Sequence, residues 1–77
     1  MKIDYSGRVV NLTDRQLQTL SLLCSGKENK EIAKELGVSI NTVGNYTNYL
    51  FQLFEVHNRV ELLITTLKLG ILNIEEL

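Results

Sequence analysis

Cysteine occurs once, at Cys24, which excludes an internal disulfide framework and a cysteine-based zinc site and makes a reducing compartment, the cytoplasm, the simplest expectation. No run of about eighteen uncharged apolar residues occurs, and residues 1–11 hold no apolar stretch of signal-peptide length, so neither membrane insertion nor secretion is expected. Positive charge has no surplus: eight Lys and Arg stand against nine Asp and Glu, a formal net charge of -1. That balance excludes bulk attraction to polyanions or anionic surfaces, so any nucleic-acid contact must be local. Proline is absent, no segment repeats and none is low in complexity. With 77 residues, 44% of them hydrophobic and 22% charged, one small soluble domain is expected and a second has no room. A chain of this size buries only about 60% of its unfolded surface, so its core is thin and self-association would stabilise it.

What is present is a succession of helix starts and stops. Residues 1–11 carry Lys2, Asp4 and Arg8 between Ile3, Tyr5, Val9 and Val10, a short mixed pattern that reads as an N-terminal arm or extended piece ahead of a folded domain over residues 12–77. Thr13 can cap a first helix, Gln16 completes its capping box, and Leu12 with Leu17 makes a hydrophobic staple. Leu17, Leu20, Leu23 and Cys24 follow at helical spacing, and Gly26 can close the helix in a left-handed conformation. Asn29 is the next candidate cap, with Ile32, Ala33 and Leu36 on one face until Gly37. Ser39 then caps a third helix over residues 39–54, whose inward stripe is Val43, Thr47, Leu50, Phe51 and Phe54. A short helix, a glycine turn and a longer helix make a helix-turn-helix unit, in which the second helix keeps an exposed outer face. A fourth helix opens at Asn58 with Glu61 three residues on and runs to Gly70, giving an all-α fold of four helices.

The ordered residues Leu12-Thr13-x-Arg15-Gln16, Gly26, Asn29-Lys30-Glu31-Ile32-Ala33, Leu36, Val38-Ser39, Thr42-Val43, Asn45 and Val56-His57-x-Arg59 resemble the LuxR-type helix-turn-helix domain, over roughly residues 11 to 73 without a gap. The resemblance implies a four-helix DNA-binding domain, usually preceded by a receiver or autoinducer-binding domain and usually dimerising through its last helix. A stand-alone member of that family, without the sensory domain, is the expectation. Gly44, Gln52 and Leu53 depart from it, because the family commonly carries Lys or Arg there. The sequence has no Lys or Arg from Glu35 through Asn58, so ordinary phosphate clamping by the third helix is not expected.

At about 100 degrees per residue, Asn41, Asn45, Asn48 and Gln52 point opposite to Val43 as one stripe of carboxamides. A carboxamide offers a donor and an acceptor together, the pattern that pairs with the N6 and N7 edge of adenine in the major groove. Outward Asn and Gln are equally compatible with plain solvation. Backbone contacts must then come from elsewhere. Lys27, Lys30 and Lys34 lie along the edge of helix two, and Asn29 and Lys30 match family positions near the DNA backbone. Thr42 and Tyr46 on helix three, and Asn58 with Arg59 at the start of helix four, complete that set. Interleaved Glu28, Glu31 and Glu35 also fit an ordinary solvated surface, and Arg59 fits a structural partner of the first helix.

Two further surfaces invite partners. Tyr46, Tyr49 and Leu53 form a line beside the carboxamides that suits docking onto another protein, or a widening of the core. On helix four, Val60, Leu63, Ile64 and Leu67 are expected to face inward. Leu62, Thr66 and Leu69, helped by Ile71 and Leu72, would then form a second seam for a homodimer. Cys24 and His57 have no convergent ligands or paired carboxylates, so neither a metal, a cofactor nor an enzymatic site is expected. The leading expectation is a dimeric, sequence-specific transcriptional regulator reading double-stranded DNA with helix three. The alternative is a protein-interaction module on the same scaffold that has lost DNA binding and modulates another regulator.

Overall fold

Two strands and four helices follow one another along residues 1–76, the part of the chain that the computed structural model describes. They are β1 (Lys2–Tyr5), β2 (Arg8–Asn11), α1 (Asp14–Cys24), α2 (Asn29–Leu36), α3 (Ile40–Phe54) and α4 (Arg59–Lys68), followed by a short 3-10 turn (Ile74–Glu76). Three of the helix starts are fixed by the expected side chains. The Thr13 hydroxyl accepts from the Gln16 N–H at 3.1 Å while the Gln16 carboxamide oxygen accepts from the Thr13 N–H at 2.9 Å. Ser39 Oγ accepts from the Thr42 N–H at 3.1 Å, and Asn58 Oδ1 from the Glu61 N–H at 2.9 Å. Each bond satisfies an amide that the first helical turn leaves without an intrahelical partner.

The start of α2 differs from expectation. Its cap is Glu28, and Asn29 is the first helical residue. The Asn29 side chain is instead drawn away as an acceptor for Arg59 at the start of α4. The far end follows the sequence closely: Gly37 adopts φ +68°, and the Val38 N–H reaches back to the Ala33 carbonyl at 3.0 Å. That left-handed residue turns the chain sharply into α3.

Residues 1–11, expected as an arm or extended piece, are extended and paired as a hairpin. Strands β1 and β2 run antiparallel, with Lys2 opposite Asn11 and Tyr5 opposite Arg8. Ser6 and Gly7, at φ +53° and +77°, form a two-residue turn with both central residues left-handed, the geometry that matches strand twist. The hairpin packs Val10 into the core and covers the C-terminal end of α3. There the Tyr5 hydroxyl donates to the Phe54 carbonyl at 2.8 Å and Arg8 Nη2 donates to the Leu53 carbonyl at 2.6 Å. These are carbonyls that a helix end leaves unpaired.

The core collects Leu20, Leu23, Ile32, Val43, Leu50, Phe54 and Leu62 from the four helices, with Leu12 from the link between β2 and α1. Buried Thr19, Thr47 and Thr66 each donate a hydroxyl to a carbonyl of the preceding turn, at 2.8–2.9 Å, so their polarity is satisfied locally. Helix α4 sits with its faces exchanged relative to expectation. Leu62 and Thr66 have no exposed surface, whereas Val60 is 66% and Ile64 47% exposed. Gly70 at φ +72° then brings Ile71 and Leu72 into the core, where both N–H groups donate to the Thr66 carbonyl, at 3.0 and 3.4 Å. Among the described residues no helix is long and apolar enough to cross a membrane.

Candidate nucleic-acid interface

Because α2 and the Gly37 turn hold α3 by its inner stripe, the opposite side of α3 is left open. Val43, Thr47, Leu50 and Phe54 are buried, and Phe51 is half-buried at the edge of that stripe. Asn41, Asn45, Asn48 and Gln52 are all exposed, on one line along the other side. From Asn41 to Gln52 the line is about 16 Å long at 1.5 Å per residue, and a helix of about 10–12 Å diameter fits the duplex major groove. Gly44 lies beside the line, and a Cβ built there meets nothing within 4 Å.

The residues expected at the backbone divide into free and occupied. Lys30 and Lys34 are exposed, four residues apart on α2. Lys27 instead pairs with Glu35, Nζ to Oε1 at 2.5 Å, and that carboxylate holds the lysine above its ordinary pKa. Arg59 Nη1 donates to the Lys27 carbonyl at 2.5 Å, and Nη2 donates to Asn29 Oδ1. Asn29 and Arg59 thus join the starts of α2 and α4 and are both half-buried. Asn58 is occupied as the α4 cap and also donates from Nδ2 to Glu61 Oε1 at 3.2 Å. Thr42 shares a hydroxyl contact with Ser39 at 2.8 Å. The long-range partners of Asn29 and Arg59 could not be inferred from spacing, which sees only neighbours along one helix.

On the flank of α3, Tyr49 is 51% exposed, and Tyr46 and Leu53 are half-buried. Tyr46, Tyr49 and the buried Leu50 form one wall of an open cleft of about 350 Å3, with Arg15, Gln16 and Thr19 of α1 opposite. Arg15 belongs to the Leu12-Thr13-x-Arg15-Gln16 motif, and its spacing assigns it no partner. Its guanidinium Nη1 donates to the Leu36 carbonyl at the end of α2, at 3.2 Å. The seam expected at Leu62, Thr66, Leu69 and Leu72 is largely internal: Leu62, Thr66 and Leu72 are buried and Leu69 is half-buried. The apolar side chains that α4 exposes are Val60 and Ile64, with half-buried Leu67 one turn beyond Ile64.

Cys24 is half-buried, its Sγ 3.9 Å from Thr66 Oγ1. Burial pushes its thiol above the ordinary pKa, partly offset by the Thr66 hydroxyl and the Arg59 charge. Among the described residues no group of three or more His, Cys, Asp or Glu side chains is placed to hold a metal ion.

A family model described as bacterial regulatory proteins, luxR family, matches residues 10–66. The transcriptional regulatory protein DesR of Bacillus subtilis is 46% identical over 50 residues, 65% of this chain and 25% of DesR. The uncharacterized response regulatory protein YgeK of Escherichia coli is 38% identical over 63 residues, 82% of this chain and 43% of YgeK. Among solved structures, VqmA of Vibrio cholerae, described as a dimer that shifts conformation in the absence of target DNA, matches with a TM-score of 0.74 at 34% identity. The match covers 79% of this chain and 28% of the VqmA chain. This chain therefore spans less than half the length of these relatives.

Proposed function

The chain belongs to the luxR family of bacterial regulatory proteins, and from that membership we propose that it regulates transcription by binding double-stranded DNA as a homodimer, with α3 in the major groove. The observation that carries this reading is the exposure of Asn41, Asn45, Asn48 and Gln52 on one line, opposite the buried stripe of the same helix. Each carboxamide can meet a base edge with a paired donor and acceptor, best matched by adenine. Lys30 and Lys34 are the α2 cations left free to hold phosphates. The homodimer forms along α4 through exposed Val60 and Ile64, with half-buried Leu67 beside them, apolar surface that a small monomer leaves in water.

A mobility-shift experiment with random duplex pools at low salt, followed by selection of the bound sequences, tests the reading. The parent protein is expected to enrich an A·T-containing site. Asn45→Ala is expected to weaken that site by about 1–3 kcal/mol and to relax base choice at one position. An equal loss on every sequence rejects base reading by Asn45, and no shift with any duplex rejects DNA binding.

A second reading is favoured by one observation: α3 carries no Lys or Arg, and Tyr46, Tyr49 and Leu53 form an apolar flank beside its neutral face. On that reading the domain docks onto another regulator through this flank and modulates it. The selection experiment separates the two, because an adaptor of this kind enriches no sequence.

A further inference from the structure

We propose that the cleft between α1 and α3 seats a phosphodiester of the bound duplex, with the Arg15 guanidinium as its charged donor and the Tyr46 and Tyr49 hydroxyls as neutral ones. The inference rests on the DNA-binding reading and adds an anchor on the α1 side of α3. The buried part of the lining is Leu50 and Thr19, both 1% exposed, and the Thr19 hydroxyl is already bonded to the Arg15 carbonyl at 2.9 Å. The exposed lining is mainly apolar, and the few polar groups left around the rim are mainly donors. Arg15 is exposed and uses a guanidinium N–H on Leu36, leaving further N–H groups of its fork free. The Gln16 carboxamide oxygen is occupied by the Thr13 N–H, so its amide NH2 is what remains. Of the three tyrosine hydroxyls, the one bonded within the described chain is that of Tyr5, not those of Tyr46 or Tyr49.

No carboxylate side chain lines this cleft. A rim of N–H and O–H groups around an arginine, with no acid in the lining although Asp14 precedes Arg15 in the chain, is complementary to an anion whose oxygens accept several hydrogen bonds at once. Its position selects the anion. Tyr49 neighbours Asn48 along the chain and stands one helical turn from Asn45 and Gln52, so the cleft opens beside the line that faces the bases. The sugar-phosphate strand bordering a groove passes along such a flank, and hydroxyl and guanidinium contacts to it fix orientation without reading sequence. Arg15 thereby supplies the positive charge that α3 lacks. Its bond to the Leu36 carbonyl limits the freedom of the side chain, so less ordering is needed on binding.

The test compares the parent with R15Q, R15K and Y49F on the best duplex recovered from a random pool, measuring affinity at several salt concentrations. R15Q is expected to bind about tenfold more weakly on all sequences alike and to reduce the salt slope by about 1 per bound protomer. R15K keeps the slope but loses several-fold in affinity, because an ammonium cannot reproduce the fork. Y49F loses several-fold with an unchanged slope, since it removes a donor and no charge. A purely structural Arg15 would lower the melting temperature of R15Q and leave the slope of its folded fraction as in the parent, which overturns the seat. If R15Q does not fold, R15K and Y49F binding as the parent does is the overturning result. Failure of the seat leaves the parent's DNA binding and its sensitivity to Asn45→Ala intact. Failure of the DNA reading appears as a parent that shifts no duplex, and the seat falls with it.

Discussion

Arg59 and Asn29, thirty residues apart in the chain, are joined directly, the Arg59 Nη2 donating to the Asn29 side-chain oxygen while Nη1 donates to the Lys27 carbonyl. One guanidinium thereby fixes the start of α4 against the start of α2. Arg59→Ala is expected to destabilise the domain by about 2 kcal/mol, because a half-buried amide and a carbonyl lose a charged donor together. The salt slope of DNA binding by the folded protein stays unchanged. Urea unfolding beside a salt titration checks both, and a slope that falls by about 1 per protomer would return Arg59 to the phosphate-contacting set.

Glu55 closes α3 at φ +56°, a left-handed conformation that suits glycine and strains a residue with a side chain. Its compensation is an ion pair with Arg8 at 3.5 Å, both side chains substantially exposed, and such pairs contribute about 0–1 kcal/mol. Glu55→Gly is expected to be neutral to stabilising by up to about 1 kcal/mol, since relief of strain offsets the lost pair. Gly37→Ala, at φ +68°, is expected to destabilise by about 1 kcal/mol or more. Thermal unfolding of the two variants checks the contrast.

Gly44 occupies a helix interior with open space where a side chain would stand. Gly44→Lys is expected to raise stability by about 0.5–1 kcal/mol through helix propensity alone. If α3 lies in a groove, the same change steepens the salt slope by about 1 per protomer. Greater stability with no change in DNA binding would favour the adaptor reading.

The sequence made the helical frame legible wherever a local signal was sufficient. Thr13 with Gln16, Ser39, Asn58 and Gly37 act within three or four residues, and their bonds are those the sequence predicts. The carboxamide line was legible for the same reason, because one buried stripe fixes what lies opposite. The hairpin was not, since Ser6-Gly7 is a weak turn signal and its strands are held by Phe54 and Leu53, far along the chain. Helix α4 is apolar on two flanks, and periodicity cannot say which one Ile71 and Leu72 return to cover. The roles of Arg15, Asn29 and Arg59 depend on contacts between helices that no spacing encodes.

Cys24 provides a pH-dependent probe of the α1–α4 contact. Burial raises its pKa in the folded state, so folding favours the protonated thiol. That contribution is fully present below the unfolded thiol pKa of about 8.5 and is lost as pH rises through the higher folded value. Stability is therefore expected to fall from pH 8 to pH 9.5 in the parent and to fall less in Cys24→Ala. Iodoacetamide at pH 8 is expected to alkylate the folded protein more slowly than the urea-unfolded chain. Equal rates would place the thiol in open solvent.

The exchange of faces on α4 separates core from partner surface by substitution. Leu62 is fully buried, so Leu62→Ala is expected to cost about 2–5 kcal/mol and to unfold a domain of this size at modest temperature. Ile64 is 47% exposed, so Ile64→Glu is expected to leave monomer stability nearly unchanged while placing two like charges across a symmetric contact. Sedimentation over a concentration series is expected to show the parent as a dimer and Ile64→Glu as a folded monomer. Because a dimer engages two half-sites at once, Ile64→Glu is also expected to weaken DNA binding more than one protomer's contacts account for. A parent that remains monomeric at all concentrations would remove the homodimer and leave exposed Val60 and Ile64 to a different chain.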